Sequence, residues 1–248
     1  LREVYVDWKQ HNALPESLVK QLASLTSTAQ FEWQNARKKN DFGLFAPFLR
    51  QLVDCQHQKI DYLGASDHPY DALLNEFELG LTVKEIDPIF DQLKQRLIPL
   101  IQKHNVRKPL VLPGPFPLAQ QQHYSTELMS LLNFDTTKGR MDASTHPFTI
   151  DIHPNDVRFT TRYSTSDVME SFSSTTHELG HALYEQGLDS AWTGTPLGEA
   201  RSMAIHESQS RLWEIFICQS LPFWMGQYSR LCELFPQLQY QLSFLELS

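Results

Sequence analysis

Cysteine is scarce in this 248-residue chain, limited to Cys55, Cys218 and Cys232. No two of them form a C-x-x-C pair, and an odd number leaves a thiol over in any pairing. A disulfide scaffold is therefore excluded, and the expectation is free thiols packed as small hydrophobes in a reducing, cytoplasmic compartment. Positive charge is short as well: 21 Lys and Arg face 29 Asp and Glu, for a net charge of −8. Such a surface repels a phosphate backbone, so no nucleic-acid partner is expected. No apolar run approaches the ~20 residues of a membrane helix, and the strongest, Leu97-Ile98-Pro99-Leu100-Ile101, is far too short, so no membrane partner is expected. The opening residues Leu1 to Trp8 carry charges where a secretory signal would be apolar. An initiator Met is also missing, which reads as a processed chain or a piece of something longer. Internal repeats and low-complexity tracts are absent from the sequence.

What is present is ordinary globular composition, 41% hydrophobic, 11% aromatic and 20% charged. That is enough for one large domain or two small ones. Residues 1 to 104 show mainly helical periodicity. Phe42, Phe45, Phe48, Leu49, Leu52 and Val53 recur at three- and four-residue spacings, as do Phe90, Leu93, Leu97, Leu100 and Ile101. Both stripes read as core. Thr82 and Glu85 form a capping box ahead of the second. Prolines at 109, 113, 115 and 117 with Gly114 make a loop. Gln120 to Leu132 reads as a helix. Phe148 to Ile152 and Val157 to Tyr163 are β-rich runs joined by His153-Pro154-Asn155-Asp156, a hairpin in an otherwise helical protein. Helix then returns over 166 to 186, stopped by Gly187, over roughly 198 to 220, and from 224 to the end.

The sharpest feature is His177-Glu178-Leu179-Gly180-His181. On a helix, residues i and i+4 share a face, so both imidazoles can reach one ion at about 2.0–2.1 Å. Glu178, next to the first of them, leans over the open coordination position and suits a general base. A catalytic metal of this kind takes a third protein ligand. Glu199, Glu207, Glu214 and His206 are all candidates from spacing, Glu207 first, since it returns 26 residues after His181 on a following helix. Two imidazoles and a carboxylate suit zinc, with cobalt a possible second.

With these residues in view, the sequence resembles the M32 metallocarboxypeptidases, of the carboxypeptidase Taq type. The family's H-E-x-x-H corresponds to His177 through His181, and its H-E-S/G-Q block to His206-Glu207-Ser208-Gln209. Its H-P-F motif corresponds to His146-Pro147-Phe148, and its D-x-R-x-T motif to Asp156-Val157-Arg158-Phe159-Thr160. Tyr70 to Leu74 and Gly139 to Asp142 also look like family blocks. Leu79 stands where the family has a proline, which touches a turn and no chemistry. The family's later I-x-x-A-D motif is absent.

The resemblance implies Glu207 as the third metal ligand, and His146, Asp156, Arg158 and Thr160 as a substrate-binding wall whose strand edge could pair with a peptide. Arg140, Arg158 and Arg162 are each able to grip a carboxylate. It further implies a mainly α, multi-helix zincin-like peptidase fold with a small β-hairpin beside the active-site helix. The chain reads as a single, incomplete catalytic domain over 1–248, with a helical part (1–104), a Pro-rich loop (105–117) and a metal-site part (118–248). The implied function is release of C-terminal amino acids from peptides by a homodimer when full length. The chain alone is expected to hold metal with little or no activity. An oligopeptidase or endopeptidase with the same site and a non-catalytic helical fragment are the alternatives.

Overall fold

The computed structural model describes residues 1–64, 67–104, 112 and 114–239, so most of the Pro-rich segment lies outside it. The chain forms two compact units, Leu1–Ile101 and Gln102–Ser248. The fold is mainly helical with one small sheet. Among the described residues, no helix is long and apolar enough to cross a membrane.

The first unit contains α1 (Arg2–Ala13), α2 (Glu16–Lys39), α3 (Ala46–Leu63), α4 (Asp71–Phe77) and most of α5 (Val83–His104). Asn40 ends α2 in the left-handed conformation, φ 50°. Asp41 then caps a 3₁₀ turn, Phe42–Leu44, before α3 starts with Pro47 in its first turn. The stripe that begins at Phe42 is therefore split between a 3₁₀ turn and a helix. Half of the predicted capping box forms: Glu85 Oε2 accepts from the Thr82 backbone N–H at 3.0 Å and from its hydroxyl at 2.7 Å.

The expected core of this unit is not one. Phe42 and Phe90 are 66% and 49% exposed, and α5 buries no residue at all, leaving Leu93, Leu97, Leu100 and Ile101 open as well. Helical spacing gathers apolar side chains on one face, but burial also needs an opposing element, and α5 has none among the described residues.

The second unit is closed. It runs α6 (Leu118–Leu131), β1 (Gly139–Ala143), β2 (Thr149–His153), β3 (Asp156–Thr161), α7 (Val168–Gln186), α8 (Met203–Arg211) and α9 (Leu221–Leu234). The hairpin is present, with β2 antiparallel to β3. A third strand, β1, adds on the far side, parallel to β3, giving the order β1-β3-β2. Gly139 permits this pairing, because a Cβ there would sit 2.1 Å from Val157 O. Alternation on β3 sends Val157, Phe159 and Thr161 inward. The two apolar members join Phe116, Tyr124, Leu128, Phe172, Leu179, Trp224 and Phe235 in one core. Phe172 and Trp224 pack with ring centroids 4.8 Å apart.

Two helix boundaries differ from expectation. The stretch 190–198 makes 3₁₀ turns around Pro196, so α8 begins only at Met203, with Ser202 Oγ accepting from Ile205 N–H. It passes directly into a π-helical turn, Leu212–Ile217. At the other end α9 stops at Leu234, just before Pro236, which cannot continue it.

Candidate active site

α7 is the spine of the site. Asp167 caps its start, accepting from Met169 N–H, and Gly187 closes its end. One face carries hydroxyls: Thr161 on β3 lies 2.8 Å from Thr175 Oγ1 and 3.0 Å from Ser174 Oγ, and Ser125 on α6 reaches Thr175 at 3.1 Å. The two bonds to Thr175 are buried, and together the three fix the helix against the sheet and α6. Another face carries His177 and His181, one turn apart, with ring centroids 5.0 Å from each other.

α8 crosses close to this face. A Cβ on Gly180 would meet Ser210 Cα at 2.7 Å and Gln209 O at 2.9 Å, so the absence of a side chain lets the two backbones touch. That approach brings Glu207 Oε2 to 3.2 Å from His181 Nε2 and 3.7 Å from His177 Nε2. One ligand atom each from His177, His181 and Glu207 lies within 4.8 Å of the others. Of the other candidates for the third position, Glu214 Oε2 instead takes a hydrogen bond from His177 Nδ1 at 2.9 Å. His206 sits 2.9 Å from the buried Glu185, and Glu199 is exposed after a 3₁₀ turn.

Electrostatics prepare the donors. With His177 Nδ1–H donated to Glu214, its lone pair is on Nε2, the atom facing Glu207. Burial, with the neighbouring His206 and His177, pushes His181 down to about 4, which keeps it neutral near pH 7. Burial alone would raise Glu207, but His177, Ser210 and Arg211 outweigh it and hold the carboxylate below its usual range. Two imidazoles and a carboxylate oxygen are a donor set that fits a divalent ion.

Glu178, next to His177 in the chain, reaches toward β2. It is 7% exposed, and Thr149 on β2 donates to its Oε2 at 2.7 Å. Burial raises its pKa, against the Thr149 hydrogen bond and the charges of His177 and His146. A cavity of about 250 Å³ opens here, lined by Phe148, Thr149, Glu178, His181, Met203, His206 and Glu207. Thr149 and Met203 gave no separate signal in the sequence, since strand and helix positions like theirs line a cavity only once the elements are packed. A larger cavity, about 450 Å³, lies in the first unit, but its polar side chains serve the backbone: Asp71 accepts from Val83 N–H and Asn75 from Gly80 N–H.

The other predicted wall residues divide. His146 is near enough for its charge to act on Glu178. Thr160 accepts from Phe148 N–H at 3.1 Å and lies 2.6 Å from Ser144 Oγ, which ties down the loop carrying Phe148. Asp156 and Arg158 do not line the cavity; they pair with each other at 2.8 Å on the exposed side of β3. The strand edge expected beside the site is not theirs either. β3 is the central strand, hydrogen-bonded on both sides, and the strand whose residues line the cavity is β2. Arg140 and Arg162 are likewise paired, with Asp142 and Glu170.

Comparison with known proteins identifies the family and the fold. Residues 1–248 match the family model described as carboxypeptidase Taq (M32) metallopeptidase. The chain is 39% identical over 234 residues to carboxypeptidase 1 of Bacillus subtilis (strain 168), covering 93% of this chain and 47% of that protein. It is 38% identical over 251 residues to thermostable carboxypeptidase 1 of Thermus thermophilus, covering 96% and 49%. The solved structure of Pyrococcus furiosus carboxypeptidase superposes with a TM-score of 0.87 at 32% identity, over 99% of this chain and 50% of the other. The chain thus spans about half the length of the relatives it matches.

Proposed function

The chain belongs to the M32 carboxypeptidase Taq family of metallopeptidases, and from that premise we propose that it carries the metal site of a carboxypeptidase that releases C-terminal amino acids from peptides. His177, His181 and Glu207 hold one divalent ion, zinc before cobalt on the N₂O donor set. When bound, such an ion supplies Lewis-acid polarisation of a carbonyl and acidifies water. The observation that carries the reading is the convergence of the three donors within 4.8 Å beside a cavity that Glu178 also lines.

Glu178 is the general base. Its buried carboxylate has a raised pKa, so it can take a proton from the attacking water and deliver it to the leaving amine. Thr149 orients the carboxylate by donating to Oε2. His146 and Thr160 belong to the substrate-facing wall, whereas Asp156 and Arg158 hold each other on the exposed side of β3. Support comes from the charge of His146 acting on Glu178 and from Thr160 holding Phe148 at the cavity. Phe148 and Met203 give one side of the cavity an apolar lining. The full-length protein works as a cytoplasmic homodimer. The three cysteines, buried and free, suit a reducing compartment, and the apolar face of α5 is surface that a second copy would cover.

The test has two stages. Metal analysis of the purified chain after zinc addition should find one ion per chain; none would favour a non-catalytic helical fragment. A blocked dipeptide acid and its C-terminal amide are then compared as substrates of the full-length protein. Cleavage of the acid alone supports a carboxypeptidase, and equal cleavage of both makes the site an endopeptidase.

A further inference from the structure

Glu207, Arg211 and Glu214 stand at i, i+4 and i+7 along α8 and the π-helical turn that follows it. The Arg211 guanidinium lies between the two carboxylates. Its Nε donates to Glu207 Oε1 at 2.9 Å, and its Nη1 donates to Glu214 Oε2 at 2.9 Å. Glu214 in turn accepts from His177 Nδ1–H at 2.9 Å and, on its other oxygen, from Ser173 Oγ at 2.5 Å. The path from His177 through Glu214 and Arg211 to Glu207 closes into a ring, because His177 Nε2 and Glu207 Oε2 face each other at 3.7 Å.

Arg211 has a half-exposed side chain, at 49%. Ion pairs that exposed contribute little to stability, so the ring is better explained by what it holds in place. Glu207 Oε1 is engaged by Arg211, while Oε2 is turned toward both imidazoles. Meanwhile the contact from Glu214 settles which nitrogen of His177 is free. A guanidinium suits this task because its N–H groups diverge in one rigid plane and can serve two acceptors at once.

We infer that Arg211 is a positioning residue for the metal site: it makes Glu207 offer one oxygen, Oε2, and joins Glu207 to His177 through Glu214 before any ion arrives. The inference rests on the reading of His177, His181 and Glu207 as the ligands. Residues of this kind, which orient ligands without touching the ion, typically change metal affinity by ~10–100-fold when removed.

The experiment uses the purified chain and two probe ions. Zinc affinity is measured by competition with a chelator. Cobalt is used for its visible bands, whose intensity falls as coordination number rises. Arg211→Met should lower zinc affinity by ~10–100-fold and weaken the cobalt bands, because Glu207 Oε1 becomes free to join the ion. Arg211→Lys should behave like Arg211→Met, since one ammonium cannot reproduce the two diverging N–H bonds. Wild-type affinity and spectrum in Arg211→Met would overturn the inference. So would full recovery by Arg211→Lys, which would show that only charge matters. Should Arg211→Met fail to fold, Glu214→Gln, which keeps the side-chain shape, takes its place; lowered zinc affinity supports the ring and unchanged affinity overturns it. If the wild-type chain itself takes up neither ion, the ligand assignment has failed, and that outcome is separate from variants that bind as tightly as wild type.

Discussion

In the first compact unit the buried apolar side chains are few and mostly small: Leu18, Ala29, Ala36, Cys55 and Ala72. In the second, Trp224, Phe116, Phe159 and Phe235 are fully buried around α7 and the sheet. Both units have apolar stripes at helical spacing, and α5 has the clearest one in the chain. The difference is what lies opposite the stripe. Where three layers of structure close on a helix, as on α7, side chains are held tightly enough to aim two imidazoles and a carboxylate at one point. Where no described element closes, as on α5, the same pattern yields a helix and nothing more. A site that needs sub-ångström placement belongs to the packed unit.

In the full-length protein, Glu178→Gln should lower turnover in the peptide assay by the ~10²–10⁴ of a lost general base. Metal content should stay near one ion, and the melting temperature should not fall, because the change removes a buried charge rather than a packing contact. Loss of metal in this variant would mean that Glu178 is a structural part of the site.

Trp224→Ala tests the packing of the second unit. Its ring is fully buried against Phe172 and Phe223, and its loss should cost about 3–5 kcal/mol. Denaturant unfolding should show this together with a fall in zinc uptake. A cost below about 1 kcal/mol would mean that this core is no tighter than the first unit.

Gly180→Ala addresses the contact between α7 and α8. The added methyl must displace the Ser210 backbone, at an expected cost of about 1–3 kcal/mol. Since that backbone carries Glu207, zinc affinity should fall with stability. Stability that drops while zinc affinity is unchanged would separate the helix contact from the site.

A smaller effect is expected at low pH. Glu127 on α6 is held below its ordinary value of 4.5, chiefly by the hydrogen bond from Arg230 on α9. The folded-state pKa is the lower one, so this contribution is present above about 4.5 and is lost as pH falls through the depressed value. Melting temperatures from pH 7 to pH 3 should drop more steeply for wild type than for Glu127→Gln. Parallel curves would count against the link between α6 and α9.

The smallest change should come from the first unit. Phe90→Ser on α5 removes a large side chain that is 49% exposed, and stability should move by no more than about 0.5 kcal/mol. A cost comparable to that of Trp224→Ala in the 248-residue chain would mean that the α5 face is covered there without the rest of the full-length homodimer.

The local features of the site were legible before any tertiary structure. His177 and His181 share a face because a helix repeats every 3.6 residues, and Asp167 and Gly187 bound that helix as capping chemistry dictates. The hairpin was legible for the same reason, as two alternating runs about a short turn. The parallel strand β1 was not, because its partner β3 lies beyond the intervening β2 and nothing within Gly139 to Ala143 signals that pairing apart from the glycine. The cores expected around Phe42 and Phe90 failed because periodicity says which residues could be buried together and is silent on whether anything covers them.

The third metal donor marks the same limit. From residue types and spacing, Glu199, Glu207, Glu214 and His206 were all candidates with Glu207 first, and likeness to a family strengthened that choice. Local interactions act over four or five residues and leave a periodic trace, so the sequence by itself determined the histidine pair, the neighbouring Glu178 and the helix that carries them. The approach of α8 at Gly180 is a contact between backbones some thirty residues apart, set by packing. That contact decided that Glu207 turns toward the histidines, that Glu214 takes His177 Nδ1, and that Arg211 lies between the two.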